Sequence, residues 1–317
     1  MRLPEKKCLI VFDTNCIYVA DRDNSYEFSP TYNFTNFLNW VEAENVTSFC
    51  TLAIPKIVLL EIVKQKFDRN EQLKSDYEKA SRFFNKQYDS IVYTFDDICA
   101  KVSEFFISHN IEIIDNPSQI EPIISRAVHK QKPFDYTDKK GNKKETGSDK
   151  GFKDAVLLHS VIEIENLILF REVFVCTNNH RDFIGCDSGE CPNLKILSSK
   201  NALHELENVL KEHLNILTAF NWIENNKDTV LAHLNDYGGD WEFVNFTYDI
   251  NNFEFKKNKN VVEFLILADA IGHFGGEGLT RPSWPICKWF DLSANDIIYP
   301  EDETKDIESK SEDKNND

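Results

Sequence analysis

A chain of 317 residues with 41% hydrophobic residues and 24 phenylalanines can bury a sizeable core, in one or two domains. No stretch reaches the roughly 18 unbroken apolar residues of a membrane span. The opening MRLPEKKCLIVF turns polar too soon for a secretory signal, so the expectation is a cytoplasmic protein whose eight cysteines are reduced. A formal net charge of -17 argues against coating nucleic acid by bulk electrostatics.

That charge is uneven. Residues 301–317 hold eight Asp/Glu against three Lys and almost nothing apolar, so the tail is expected to be disordered. Residues 129–153 hold eight Lys against four acids, a positive island in an acidic chain.

In chain order, Lys7–Phe12 reads as a buried strand. Phe34, Phe37, Leu38 and Val41 follow helical spacing, with a start at Ser29-Pro30. Ser48–Ile54 reads as a second strand. Pro55 then opens a helix through about Asp68, and Leu73, Tyr77, Ala80 and Phe84 mark another. Ile98, Val102, Phe105 and Phe106 mark a helix begun at Asp96-Asp97, and Ile120–His129 a further one. Asp154–Glu165 is a helix, Glu172–Cys176 a strand, and Lys195–Leu197 a last short strand. Strands alternating with helices predict an α/β fold, a parallel sheet with helices on both faces.

After a helix over Asn201–Asn225, the stretches Trp241–Ile250, Phe253–Lys256 and Val261–Ile271 read as antiparallel strands, with GHFGGEG (272–278) as a loop. That loop lacks the Lys-Ser/Thr ending of a phosphate-binding loop. The expected organisation is an α/β domain over 1–200, a small C-terminal α+β module over 201–300 and the acidic tail over 301–317.

Four acids stand out by context. Asp13 ends the apolar strand LIVF, with Thr14 and Asn15 placed to orient it, although Asp and Asn also simply begin turns. Glu61 interrupts the apolar helix KIVLLEIVKQ, where a carboxylate needs a metal or a pairing charge; Gln65 or a lysine would also serve. Asp154 begins a helix beside the basic stretch, where the helix dipole alone favours an acid and the lysines suit a phosphate-bearing substrate. Asp182 follows the strand VFVCTNN, repeating the strand-end logic of FDTN. Carboxylates with little His or Cys nearby favour Mg²⁺ or Mn²⁺. Such an ion activates a water for phosphodiester hydrolysis. His180, Cys186 and Cys191 offer one loose pair where zinc needs four close ligands, and His159 is expected to be structural.

FDTN at Asp13, the Glu61 helix, KDA at Asp154 and TNNHRDF at 177–183, in that order, resemble the PIN domain nucleases, with a PF-to-KD stretch like the PIN-like subgroup DUF4935. The resemblance covers residues 6–200 or so. It implies a Mg²⁺- or Mn²⁺-dependent nuclease, usually an endoribonuclease and often a toxin of a toxin–antitoxin pair or a phage-defence effector. It also implies Asp13, Glu61, Asp154 and Asp182 as catalytic metal ligands. Asn15, Thr177, Asn178, Lys150 and Lys153 are the expected substrate-binding residues. The expected partners are an RNA substrate, with tRNA a candidate, a regulatory protein or antitoxin, and further copies of the chain; no membrane is expected.

The alternative is a catalytically silent PIN-like module that binds RNA or protein. A phosphatase using Asp13 as nucleophile fits less well, because Asn15 occupies the place of its second acid.

Overall fold

The computed structural model describes residues 8–23, 25–84, 93–129, 134, 151–164, 170–178, 193–236, 241–274 and 277–298. Asp182, Lys150, the His180–Cys186–Cys191 group and the 301–317 tail lie outside them, as does most of the basic stretch. The chain divides into two compact units, Arg2–Asn208 and Val209–Asp317.

The first unit is built on one strand. Cys8–Phe12 (β1) is apolar throughout and buried at every residue, as a strand covered on both faces must be. It pairs in parallel with β2 (Cys50–Pro55) on one side and β4 (Val173–Thr177) on the other. β3 (Ile111–Ile114) extends the sheet beyond β2, and β5 (Leu194–Ser198) beyond β4, giving the order β3-β2-β1-β4-β5. The chain works outward from β1 in one direction and then restarts at β4 in the other. Such a reversal opens a crevice at the carboxyl ends of the two inner strands. Phe12 lies opposite Cys176 in register, and the Asp13 N–H donates to the Cys176 carbonyl at 2.9 Å. The end of β1 is thereby fastened to the end of β4.

Helices flank this sheet: α1 (Thr14–Ile17), α2 (Tyr32–Ala43), α3 (Lys56–Phe84), α4 (Phe95–Ser108), α5 (Glu121–Val128) and α6 (Phe152–Ile162). The α2 face carrying Phe34 and Phe37 meets Phe12 edge-on, with ring centroids 5.2 and 5.7 Å apart. Three details depart from the sequence reading. α2 starts at Thr31, whose hydroxyl accepts from the Phe34 N–H, rather than at Ser29-Pro30. β3 is an additional strand of only four residues. The two helices expected over Pro55–Asp68 and Leu73–Phe84 are one helix of 29 residues, α3. No Gly or Pro interrupts it, and the polar residues at its middle have partners. The Arg69 Nε donates to the Asp23 carbonyl at 2.7 Å, and the Asn70 amide to the Tyr26 carbonyl at 3.3 Å.

The strongest tie between α3 and the chain after α1 is a buried ion pair. Lys66 Nζ lies 2.6 Å from Asp23 Oδ2, with both side chains almost wholly enclosed. The Tyr18 hydroxyl donates to the same oxygen at 2.8 Å, and Lys66 also donates to the Ser25 carbonyl. Burial lowers the Lys66 pKa while Asp23 opposes that shift.

In the second unit, α7 (Ala202–Asn225, whose first residues belong to the first unit) is followed by α8 (Lys227–Asn235), a helix the sequence reading did not separate. The strands β6 (Trp241–Tyr248), β7 (Glu254–Lys256), β8 (Val261–Phe274), β9 (Glu277–Asp291) and β10 (Asp296–Ile298) form an antiparallel sheet. Its order is β10-β9-β8-β6, with β7 also pairing β8. Ala219, Ile223, Val230 and Leu234 of the helices pack on Phe264, Ile266 and Phe290 of the strands. Most of the expected loop GHFGGEG is strand: Gly272–Phe274 ends β8 and Glu277-Gly278 begins β9. Among the described residues no helix is long and apolar enough to cross a membrane, and the six described cysteines are free thiols.

Removing one partner of the Asp23–Lys66 pair strands a buried charge. Asp23→Ala is expected to lower unfolding free energy by about 3–5 kcal/mol in urea titrations. A loss below about 1 kcal/mol, the range of an exposed pair, would show that α3 is not held this way.

Candidate metal centre

β1 is apolar up to Phe12, and Asp13 is the first residue past it, where the sheet ends and the backbone turns into α1. Asp13 is the N-cap of that turn: its Oδ1 accepts from the Thr14 N–H at 2.7 Å. Its Oδ2 accepts the Thr177 hydroxyl at 2.7 Å and, more weakly, the Asn15 amide at 3.4 Å. Thr177 is the last residue of β4, so the carboxylate is gripped by the two strands that flank the crevice. Asp13 is 4% exposed and Thr177 is fully buried. Thr177, one of the expected substrate-binding residues, lies buried with its hydroxyl on Asp13.

Glu61 reaches the same place from the second turn of α3. Its Oε2 accepts the Thr14 hydroxyl at 2.7 Å. Thr14 therefore serves both acids, its amide on Asp13 and its hydroxyl on Glu61. Nothing in FDTN beyond the presence of a hydroxyl pointed to the second contact. On the other oxygen, Glu61 Oε1 lies 2.6 Å from Lys153 Nζ and 3.5 Å from the Gln65 amide. Both partners weighed against a metal role for Glu61, a lysine and Gln65, are thus present beside it.

Lys153 comes from the start of α6. Gly151 adopts φ 86, a left-handed conformation open to glycine, and the helix begins at the next residue. Lys153 and Asp154 fall together in the first turn, and α6 packs on α3 and β2. Asp154 is half-buried there. Asn178 follows β4 and its amide donates to the Asn15 carbonyl at 2.8 Å. The structure thus brings Asp13, Glu61, Asn15, Thr177, Asn178 and Lys153 into one network. His159, on α6, is buried.

The electrostatics of the network would favour a cation beside Asp13 as well as Lys153 beside Glu61. Burial raises the Asp13 pKa, the Thr177 hydrogen bond opposes this, and the Glu61 charge raises it further. A divalent ion relieves both the desolvation and the repulsion. Two thiols lie close behind, with Cys16 Sγ 3.8 Å from Cys176 Sγ. The hydrogen bond to Cys176, then burial, hold the Cys16 thiol well above its ordinary pKa, so it stays protonated and is a poor ligand. What remains is a set of oxygen donors suited to a hard cation such as Mg²⁺ or Mn²⁺.

The sign of the Asp13 shift predicts a stability effect. Well below the ordinary carboxylate pKa, Asp13 is protonated in both folded and unfolded states and nothing is lost. As pH rises past the ordinary carboxylate pKa, the unfolded chain ionises while folded Asp13 still holds its proton, so the metal-free fold loses stability until pH passes the raised folded-state pKa, where the penalty is complete. Asp13→Asn is therefore expected to melt at a higher temperature than wild type in EDTA at neutral pH, with the gain fading in acid. A wild type that melts higher at neutral pH without metal would contradict this reading.

A family model described as PIN domain matches residues 10–183. No curated protein and no solved structure matches the chain. The matched stretch is more than half of the chain, and it runs from within β1 through α6 and past β4, taking in Asp13, Glu61, Asp154 and Thr177. Oxygen donors at the carboxyl ends of the two central parallel strands, in a stretch that fits this model, place the chain in the PIN domain family, whose members are generally metal-dependent nucleases.

Proposed function

We propose that the protein is a Mg²⁺- or Mn²⁺-dependent endoribonuclease that hydrolyses phosphodiesters, with Asp13, Glu61, Asp154 and Asp182 as metal ligands. The observation that carries this reading is the Asp13–Glu61 pair, two acids from separate elements joined through Thr14 at the crevice between β1 and β4. When bound, the ion supplies an activated water and neutralises charge on a phosphoryl oxygen. Thr177 and the Thr14 amide aim Asp13 and oppose the rise that burial gives its pKa. Gln65 and the Thr14 hydroxyl fix the Glu61 rotamer. Lys153 balances Glu61 and, once the ion takes over that role, is free to meet a substrate phosphate. Because an unrestrained ribonuclease harms its host, control by an antitoxin-like protein or by self-assembly goes with this reading, as does a role in toxin–antitoxin or phage-defence systems. The organisation proposed with it is a nuclease domain over 1–200, a module over 201–300 that selects substrate or receives control, and an acidic tail over 301–317.

The Lys153–Glu61 contact also favours a second reading, a silent PIN module that binds RNA or protein, because a lysine that permanently occupies Glu61 would replace the metal.

Purified protein incubated with total RNA, a tRNA pool, single-stranded DNA and plasmid, each with Mg²⁺, Mn²⁺ or EDTA, tests the leading reading. Metal-dependent cutting of RNA that Asp13→Asn and Asp154→Asn each abolish is the expected result. Absence of cutting and of Mn²⁺ binding by calorimetry would leave the silent module. Lys153→Gln separates the two roles of that lysine. It is expected to tighten Mn²⁺ binding about two- to fivefold, the scale of a part-exposed ion pair, while slowing cleavage. Unchanged Mn²⁺ affinity would mean that Lys153 does not compete for the site.

A further inference from the structure

Beside the acids, and within the first unit, lies a cleft of about 750 Å³. Its lining takes in Asn15 and Asn178, which are hydrogen-bonded to each other beside Asp13, together with residues of α2 and of the start of α7. Its lining has an unusual composition for so acidic a chain. Arg22, at the end of the short 3₁₀ turn Ala20–Arg22, and Lys200, just before α7, are both exposed, and neither makes an ion pair among the described residues. Tyr32 and Trp40 lie eight residues apart on α2, with Asn36 midway, so the three form one stripe along the helix. The opposite face of α2 is the one packed on Phe12, which fixes the stripe toward the cleft side. Tyr32 is 78% exposed, far more than an aromatic ring at a helix start needs to be.

Two cations with no ion pair among the described residues, the exposed Tyr32 ring, the Trp40 ring that packs on Phe37, and several amides along one channel are the kinds of group that hold a single-stranded nucleic acid: cations for phosphates, rings for unstacked bases, amides for base edges. A duplex offers its bases no such faces. Among the described residues the lining holds one acid, Glu207, with His204 4.0 Å away on the same helix. With a net charge of -17, the chain gains nothing from general attraction to phosphate, so cations without ion-pair partners among the described residues are the available grip.

We propose that this cleft is the path by which a single strand of nucleic acid enters the Asp13–Glu61 centre, with Arg22 and Lys200 holding phosphates and Tyr32 and Trp40 stacking bases. The proposal rests on the nuclease reading for its purpose but not for its test. Lys200 lies beyond the stretch that fits the PIN family model, so the cleft joins the family's core to a part of the chain outside it.

The test is fluorescence anisotropy with labelled short oligonucleotides in EDTA, on an Asp13→Asn background so that nothing is cut. Single-stranded RNA and DNA and a duplex of the same sequence are compared over a range of salt. Reversing both cations (Arg22→Glu with Lys200→Glu) should weaken single-strand binding at least tenfold. It should also make the slope of log affinity against log salt shallower by about 1.4, two phosphate contacts at roughly 0.7 each. Tyr32→Ala should weaken binding about fivefold or more with the slope unchanged, the signature of lost stacking. Because these residues are exposed, melting curves should match the parent. Tighter binding of RNA than DNA would name RNA as the ligand, and the reverse would name DNA. Unchanged affinity and slope in the charge-reversed protein, or duplex bound as tightly as single strand, would overturn the proposal. If the parent sequence cuts RNA while the cleft variants bind normally, the path is wrong and the nuclease stands. If the cleft variants lose binding while no metal elicits cutting, the path stands and the nuclease reading falls.

Discussion

Two carboxylates forced into one crevice, one of them buried, set the terms for the rest of this structure. Asp13 has nowhere else to go: β1 is apolar to its last residue, and its end is hydrogen-bonded to the end of β4. Glu61 is brought in by α3, which a buried lysine–aspartate pair ties to the chain after α1. Left bare, the pair would repel. Thr177, Thr14 and Lys153 each answer part of that repulsion, and a bound divalent cation would answer the rest. As metal ligands buried before the metal arrives, these acids would give up stability for chemistry.

The strands that build this site were legible because their signal is local. LIVF and VFVC are continuous apolar runs, and each stops at polar side chains that suit a sheet's carboxyl edge. The same feature singled out Asp13 and the Thr177–Asn178 pair. Glu61 was legible for the opposite reason, a charge inside an otherwise apolar helix. What the sequence could not show was how these residues divide their work. Thr177 reads as a group near substrate, yet it is buried against Asp13, because the register of β4 beside β1 decides which way it points.

Where the reading of elements failed, long-range contacts had overruled local signals. The polar stretch Arg69–Gln72 looked like a break between two helices, but the carbonyls of Asp23 and Tyr26 give Arg69 and Asn70 partners and the helix continues. β9 carries Pro282 and Pro285 and did not read as a strand. Its pairing with β8 shifts register at Ala268–Ala270, and there Ser283 takes φ 54 and donates its N–H to the Asp269 carboxylate at 2.9 Å. A bulge of that kind takes up a proline that a regular ladder would reject. The cleft beside the acids was equally hidden, since Arg22, Tyr32 and Lys200 are far apart in sequence and ordinary in composition.

The central claim is that Asp13 and Glu61 hold a divalent cation and that Lys153 stands in for it until it binds. Anomalous diffraction from crystals soaked in Mn²⁺ tests this most directly. The predicted result is a peak bridging the Asp13 and Glu61 oxygens, with the Lys153 ammonium moved away from Glu61. An empty crevice with the Lys153–Glu61 contact intact, or a peak bound elsewhere, would contradict the account.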